Sequence, residues 1–318
     1  MDGNNQAVNK STSEALPEVL REVSFIDEFN GWGINSHSIW RTYDKGSSWK
    51  KILSVQDKQL DSFNIEANIT RIQAVSKNKI LFLNSTKGLM ETTESGDDTK
   101  ILISSDKGII RSFRFLDENN GWVVGQSNTK NKGHWDAIAY KTRDGGKSWQ
   151  PIQLNLLKDC DCSFYDVLLL NEENVFLVGD VVMETRDGGV TFKIAEGGDS
   201  LADKIFGIPV SINSLGNELL WILSNQGNKF LVSYNGGKTW EAKSLPYETL
   251  INSLLFLDNQ RILALAGNKT WESFDSGSSW KRKQEINNDV YSLYQIPNTK
   301  TYYATGKVFI PIMNQNAK

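Results

Sequence analysis

The residue types that most often carry out chemistry are few in this 318-residue chain and are poorly placed for it. Its only two histidines, His37 and His134, are far apart in the sequence, so a shared metal site or a histidine-based catalytic triad is not expected. The only cysteines, Cys160 and Cys162, are separated by one residue. A disulfide between them would be strained, so we expect free thiols. We predict no metal site and no cofactor.

Arginines are better placed to bind a ligand. Four of them fall near the starts of predicted strands that could face a common channel: Arg21, Arg71, Arg111 and Arg114. Guanidinium groups at such an opening would form a docking site for a carboxylate or an acidic peptide. We single out Arg71 and Arg114 as binding residues. The alternative is that both are buried against neighbouring aspartates.

Trp135 is the one tryptophan of ten that does not occupy a position recurring along the chain. It lies between His134 and Asp136 in a predicted insertion. An exposed aromatic ring of this kind could stack on a sugar or on a side chain of a partner protein. We predict these three residues as a second binding group, with packing inside the insertion as the alternative.

Carboxylates are concentrated in several long predicted loops, namely at Asp57, Asp61, Asp159, Asp161, Glu196, Asp199 and Asp203. These loops are either simply solvated or form a weakly acidic docking face or cation site. Together with Asp166 they also leave open a glycoside hydrolase, which needs two carboxylates.

A short sequence motif, an eight-residue phrase, recurs along the chain and divides it into repeats. It reads Ser or Thr, any residue, Asp, any residue, Gly, any residue, Ser or Thr, aromatic. The copies are Thr42–Trp49, Thr142–Trp149, Thr185–Phe192, Ser233–Trp240 and Ser273–Trp280, with a degenerate copy at Thr92–Thr99. Successive copies lie 40 to 50 residues apart. Internal repeats with a period of this length are typical of propellers and solenoids.

The phrase has a structural interpretation. An Asp or Asn side chain followed closely by Gly folds a tight turn, because the side chain accepts backbone N–H groups and Gly tolerates a positive φ. The closing aromatic residue then starts the next strand. We therefore assign a structural rather than a catalytic role to Asp44, Asp144, Asp187, Asn235 and Asp275.

Each repeat supplies four strands, which predicts an all-β fold: a single seven-bladed β-propeller of four-stranded antiparallel blades. The last unit, from near Val290, lacks the phrase and a fourth strand. We expect the N-terminal strand, around residues 15–21, to complete it and close the ring. Residues 1–14 are predicted to be a flexible leader and residues 15–318 the propeller.

Bulk composition excludes two classes of function. The net charge of −3 and the pI near 5.6 argue against a nucleic-acid-binding protein. No apolar run approaches the length of about 18 residues needed for a membrane span.

The repeated phrase is identified as the Asp-box, or BNR repeat, which occurs in sialidases, sortilin-type receptors, glucan hydrolases and the photosystem II stability/assembly factor family. A second motif precedes some phrases: Phe25–Trp32 matches Phe115–Trp122 almost letter for letter. This combination most resembles the assembly factor family. The resemblance implies a non-enzymatic, extracytoplasmic protein, exported with a signal segment absent here, that binds a protein partner such as a subunit of a membrane complex.

A sialidase-like activity is not supported by the sequence. Residues Phe206 to Pro209 keep the outline of a sialidase arginine motif, but Gly207 stands where that motif has arginine. The two-domain clamp of Asp-box glucan hydrolases is also missing. We therefore interpret the chain as a non-enzymatic protein-binding scaffold. The alternatives are a carbohydrate-binding propeller and, less favoured, a glycoside hydrolase.

Overall fold

The computed structural model describes residues 19–55, 68–128, 135–154, 162–195, 204–205, 207–246, 249–285, 290–297, 299–306 and 310–311. These residues form antiparallel sheets of consecutive strands and one short 3-10 turn, Ser105–Lys107. Blade 1 contains β1 Glu22–Phe25, β2 Gly31–Ile34, β3 Ser38–Thr42 and β4 Lys50–Ser54. Blade 2 contains β5 Ile69–Ser76, β6 Lys79–Asn84, β7 Gly88–Thr92 and β8 Lys100–Ser104.

The next four blades repeat this order. Blade 3 contains β9 Ile109–Phe115, β10 Gly121–Gln126, β11 Ala137–Thr142 and β12 Gln150–Pro151. Blade 4 contains β13 Phe164–Leu169, β14 Val175–Gly179, β15 Val182–Thr185 and β16 Lys193–Ile194. Blade 5 contains β17 Pro209–Leu215, β18 Leu219–Ser224, β19 Lys229–Ser233 and β20 Glu241–Ser244. Blade 6 contains β21 Ile251–Phe256, β22 Ile262–Ala266, β23 Lys269–Ser273 and β24 Lys281–Glu285.

The prediction of seven four-stranded blades is wrong. Six blades have four strands, whereas the final sheet has three among the described residues: β25 Val290–Gln295, β26 Tyr302–Gly306 and β27 Ile310–Pro311. The strand expected to complete that sheet lies around residues 15–21, ahead of β1, which pairs with β2 as the first strand of blade 1. The expected closing residues before position 19 lie outside the described residues.

The hydrophobic core lies between the blades. The second strand of each blade is almost wholly buried, as in β2, β10 and β18, whereas outer strands such as β4 and β20 are largely exposed. Trp32 and Ile34 of blade 1, for example, pack against Ile72 and Phe82 of blade 2. Burial of apolar side chains between successive sheets therefore holds the disc together.

Equivalent hydrogen bonds join the innermost strands of neighbouring blades. In each, a side chain on one blade accepts a backbone N–H of the next: Glu22 from Ile72 (3.5 Å), Ser24 from Ala74 (2.9 Å), Gln73 from Phe115 (2.9 Å), Asp166 from Ile212 (3.1 Å) and Ser253 from Leu293 (3.0 Å). Innermost strands are sheet edges whose N–H groups need partners. These side chains supply them.

The final sheet contacts blade 1 and so closes the ring. The N–H of Phe25 donates to the Tyr294 hydroxyl (2.9 Å), and the N–H of Leu20 donates to the carbonyl of Gly306 (2.7 Å). Leu20 and Phe25 also share an apolar cluster with Trp49, Ile296 and Tyr303. Among the described residues, closure thus involves side-chain packing and hydrogen bonds between the two ends of the chain.

Each of the five well-preserved phrases forms a turn between the third and fourth strands of its blade. In blade 3, Asp144 accepts hydrogen bonds from the N–H and hydroxyl of Ser148 (2.9 and 2.5 Å) and from the hydroxyl of Thr142 (2.8 Å). The hydrogen bond from the Ser148 hydroxyl is the main cause that lowers the pKa of Asp144 to about 2. Gly146 lies at φ 88°, a conformation that favours glycine.

The same contacts recur at Asp44, Asp187 and Asp275, whose carboxylates each accept hydrogen bonds from the Ser or Thr four residues later. In blade 5 the amide of Asn235 replaces the carboxylate, accepting from the Thr239 N–H (2.9 Å) and donating to the Thr239 hydroxyl (2.8 Å). The turn therefore accommodates either side chain.

Candidate functional site: the mouth of the central channel

The innermost strands begin on the face of the disc that carries the turns between second and third strands. Ile69 at the start of β5, for instance, pairs with Asn84 at the end of β6. Arg71 and Arg111 lie near the starts of β5 and β9, on this same face. We call this region the channel mouth and define it by Glu22, Arg71, Arg111 and Asp166, together with Arg114, which lies one residue before the end of β9 and not near its start as predicted.

Four blades contribute charged side chains to the channel mouth. Arg71 of blade 2 forms an ion pair with Asp166 of blade 4 (3.2 Å). The Arg71 side chain is 23% exposed to solvent, whereas that of Asp166 is 1% exposed. Asp166 also accepts hydrogen bonds from the Ser112 hydroxyl (2.6 Å) and from the N–H groups of Val167 (3.0 Å) and Ile212 (3.1 Å). This carboxylate is therefore fully engaged in holding the blades together.

The electrostatics of the cluster are coupled. Burial raises the pKa of Glu22, and the cations of Arg71 and Arg114 oppose this rise without cancelling it. Burial alone would lower the pKa of Arg71, but the negative charges of Asp166 and Glu22 outweigh it and raise the pKa of that guanidinium. Arg71 is thus a fixed cation within a charge network.

Arg111 differs from Arg71 because its guanidinium is held by a neutral partner. Its Nε and Nη2 atoms donate to Oε1 of Gln126 (3.1 and 2.6 Å), and its guanidinium lies 4.9 Å from the ring centre of Tyr165. Gln126 is in turn fixed by the Ser163 hydroxyl (2.8 Å). Among the described residues no carboxylate pairs with Arg111, so this half-buried cation is oriented but not neutralised.

Arg114 lies on the same strand, β9, half-buried. Its Nε atom is buried and makes no hydrogen bond within the described part of the chain. Its positive charge attracts the carboxylate of Glu22 and so acts to lower the pKa of that group. The structure therefore brings Arg71 and Arg114 together around one carboxyl group.

Trp135 and Asp136 lie beside the supports of Arg111. The Trp135 carbonyl accepts the N–H of Cys162 (3.3 Å), and Cys162 directly precedes Ser163, which contacts Gln126. Asp136 is exposed, and its backbone pairs with Ser127 through the N–H and the carbonyl. The third residue of this predicted group, His134, lies outside the described residues.

Cys162 is disulfide-bonded, so the expectation of free thiols is wrong for this residue. No free cysteine occurs among the described residues. The other cysteine of the chain, Cys160, lies outside them.

The acidic loop residues predicted as a docking face or cation site, from Asp57 to Asp203, all lie outside the described residues. Within the described ranges no cluster of three or more His, Cys, Asp or Glu side chains is arranged to hold a metal ion. No described helix is long and apolar enough to cross a membrane.

Sequence reasoning did not select Glu22 and Gln126, although a signal for Glu22 was present. The segments Leu20–Glu22, Ile69–Arg71 and Phe164–Asp166 share one pattern, an apolar residue followed two positions later by a charged one. An alignment of the sequences at the starts of the innermost strands would have placed Glu22, Arg71 and Asp166 at equivalent positions along the channel. Gln126 carries no comparable signal, because its role depends on the three-dimensional position of Arg111.

Comparison with known proteins agrees with the propeller fold. A family model described as photosynthesis system II assembly factor YCF48 matches residues 97–249. Nearly half of the chain thus resembles this family. A search of curated proteins found no match.

Solved structures similar to the chain include two YCF48 propellers. One, described as YCF48 bound to D1 peptide, has a TM-score of 0.67 at 16% identity, covering 91% of this chain and 90% of that chain. YCF48 from Cyanidioschyzon merolae has a TM-score of 0.67 at 15% identity, covering 91% and 92%. A GH74 enzyme from Niastella koreensis has a TM-score of 0.64 at 11% identity, covering 91% of this chain and 51% of that chain. At these identities the structural likeness shows the fold alone, a propeller of the YCF48 type.

Proposed function

We propose that this protein is a non-enzymatic assembly-factor-like scaffold that docks an acidic or carboxylate-bearing segment of a partner protein at the channel mouth. The observation that carries the proposal is the state of Arg111. Its guanidinium is oriented by Gln126 and Tyr165 and lacks a carboxylate partner among the described residues. A fixed and unneutralised guanidinium is suited to bidentate recognition of a carboxylate.

The charge of the channel mouth supports an anionic ligand. The described cluster has three arginines, Arg71, Arg111 and Arg114, against two carboxyl groups, Glu22 and Asp166. Burial also raises the pKa of Glu22, which favours its neutral form. The cluster is therefore net positive in a chain whose total charge is −3. Such a local excess of positive charge steers acidic partners toward the opening.

The predicted binding residues take distinct roles in this proposal. Arg71, tied to Asp166, and Arg114 supply positive potential inside the mouth. Trp135 and Asp136 form the adjoining contact surface, where an aromatic ring could anchor a partner side chain. The solved YCF48 structure with a D1 peptide supports this reading, because it is a propeller of similar fold with a bound peptide.

A hydrolase is less well supported. Asp166, the buried carboxylate that sequence reasoning considered for catalysis, is engaged by Arg71, by Ser112 and by two backbone N–H groups. A carboxylate whose oxygens accept this many fixed hydrogen bonds is not free to act on a substrate. The likeness to GH74 enzymes concerns the propeller architecture.

We also propose that the protein works outside the cytoplasm and that the five turns are Asp-boxes whose Asp and Asn residues are purely structural. The disulfide at Cys162 supports a location outside the cytoplasm, because disulfides persist mainly in oxidising compartments. The hydrogen bonds that Asp144 receives within its own turn support the structural role of the turn residues.

The proposal is tested by capturing partners from the envelope fraction of the native organism with wild-type protein, with Arg111→Gln and with Lys50→Gln. Lys50 is an exposed cation on the outer strand β4 and serves as the control. A partner held by wild type and by Lys50→Gln but lost by Arg111→Gln supports docking at the channel mouth. Equal capture by all three proteins contradicts it.

A further inference from the structure

A second concave site lies between blades 5 and 6, away from the channel mouth. Its cavity measures about 510 Å³ and is lined by Thr249, Ala266, Gly267, Asn268, Lys269, Trp271, Trp280 and Arg282. We call it the tryptophan cleft. We propose that this cleft binds an acidic sugar, with the sugar ring against the indole of Trp280 and its carboxylate at Lys269 and Arg282.

The indole of Trp280 is held by hydrogen bonds from its nitrogen, so it presents an apolar surface to the cleft. Its Nε1 donates to the carbonyls of Ser244 (3.1 Å) and Gly277 (3.2 Å). Its ring also packs edge-on against Phe230, with 6.3 Å between ring centres. Because the polar atom of the indole is already engaged, a ligand meets mainly hydrocarbon, the surface on which the C–H face of a sugar ring stacks.

Cations border this wall. Arg282 lies directly opposite Trp271 on the neighbouring strand, and Lys269 begins the strand of Trp271. Lys269 forms no ion pair with any described carboxylate, whereas Arg282 pairs with Glu285 (2.7 Å), both side chains being about half exposed (46% and 50%). With Lys269, Arg282 and Glu285 counted together, the rim carries one net positive charge. Asn268 and Thr249 add uncharged groups able to bond sugar hydroxyls.

The repeat supplies an internal comparison. Blade 1 has the equivalent set, Trp40, Trp49 and Lys51, with Lys51 opposite Trp40 in the ladder. There Trp49 is only 1% exposed, because Ile296 and Tyr303 of the final sheet pack over it. Trp40 and Trp271 are equally buried, at 8% exposure each, so the two blades differ at the second tryptophan: Trp49 is core in blade 1, whereas Trp280 is partly exposed and borders the cleft in blade 6.

The cleft between blades 1 and 2 provides the opposite case. It is smaller, about 200 Å³, and has Met90 and Thr99 at the two positions held by tryptophan in blade 6. Within the described chain, the tryptophan cleft therefore combines size, aromatic walls and cations in a way that these two equivalent sites do not. A cavity of this volume fits one or two sugar residues.

The test is a titration of the full chain with digalacturonate, in which binding is monitored by tryptophan fluorescence and by calorimetry. Galactobiose serves as the uncharged control ligand. We expect saturable binding of digalacturonate and at least about tenfold weaker binding of galactobiose, because the carboxylate contacts are lost. Lys269→Gln should weaken digalacturonate binding by about tenfold. Glu285→Gln should strengthen it, because Arg282 is released and a like charge is removed.

Lys51→Gln, which changes the blade 1 residue equivalent to Arg282, should bind digalacturonate as wild type does. Absence of saturable binding, or equal affinity in Lys269→Gln, would overturn the proposal. A third outcome would also overturn it: binding of an acidic peptide, but not of digalacturonate, that responds to Lys269→Gln and Glu285→Gln would make the cleft a peptide site.

Discussion

The backbone N–H of Phe25 donates a hydrogen bond of 2.9 Å to the hydroxyl of Tyr294, joining the first strand of the chain to the final sheet. The rings of the two residues also pack together, with 5.8 Å between their centres. Burial raises the pKa of Tyr294 to about 12, so its hydroxyl stays neutral at ordinary pH. This contact joins residues 269 positions apart and helps to close the ring.

Tyr294→Phe should lower the free energy of unfolding by about 1–2 kcal/mol, because it leaves the N–H of Phe25 without its acceptor. Urea unfolding followed by tryptophan fluorescence measures the change. The control is Tyr291→Phe, since Tyr291 is 44% exposed and should be nearly neutral. Equal stability of Tyr294→Phe and wild type would show that this hydrogen bond does not contribute to ring closure.

Asp166→Asn should destabilise the protein by about 2–4 kcal/mol, because Arg71 then loses the countercharge that offsets its desolvation. Chemical unfolding provides the measurement. Asp136→Asn is the matched control, because Asp136 is exposed and the hydrogen bonds described for it involve only its backbone. A loss below about 0.5 kcal/mol, the range of ordinary surface substitutions, would contradict the structural role given to Asp166.

The turn aspartates predict how stability depends on pH. The folded turns lower the pKa of Asp144 and of Asp275 to about 2, from 3.8 in the absence of these contacts. Because the folded pKa is depressed, their contribution to stability is present above about pH 4 and is lost as the pH falls toward 2. Stability should therefore decline across this window.

Replacing both residues in the double variant Asp144→Asn/Asp275→Asn should flatten that decline, since Asn235 shows that the turn accepts an amide. The urea midpoint, measured from pH 5 to pH 2, gives the profile. Glu173→Gln, at an exposed site outside the phrases, is the control. Superimposable profiles for the double variant and wild type would count against a role of these carboxylates in acid stability.

Gly237→Ala should cost about 2–4 kcal/mol of unfolding free energy, for two reasons. Gly237 lies at φ 84°, and an added Cβ would come within 2.4 Å of the Phe176 ring of the preceding blade. Gly216→Ala separates the two effects, because Gly216 has φ 70° but nothing within 4 Å of an added Cβ. Its cost should be only the backbone strain of about 1–2 kcal/mol. Equal costs at both sites would refute the packing contribution.

The propeller could be predicted from the sequence because the repeated phrase is local: each Asp or Asn, Gly and closing aromatic residue act within one turn. Ring closure could not be predicted in the same way. The contacts of Tyr294 with Phe25 and of Leu20 with Gly306 join the two ends of the chain, and no local pattern reports them.

The candidate site was predictable only in part. Arginines near strand starts could be recognised, but which of them is neutralised depends on residues from other blades. Arg71 meets Asp166 from two blades further along, whereas Arg111 meets the neutral side chain of Gln126. The sequence placed Arg71 and Arg114 foremost, and the structure adds Arg111, because a partner's charge is a property of the assembled ring.

The central claim, that the channel mouth docks an anionic segment of a partner, is tested most directly by fluorescence anisotropy with a labelled peptide rich in Asp and Glu. Wild type should bind it with an affinity that falls as salt rises, and Arg111→Gln should weaken binding by about tenfold or more while remaining folded under the assay conditions. Lys50→Gln should leave it unchanged. Binding that is absent in wild type, or equally strong in Arg111→Gln, would contradict the account.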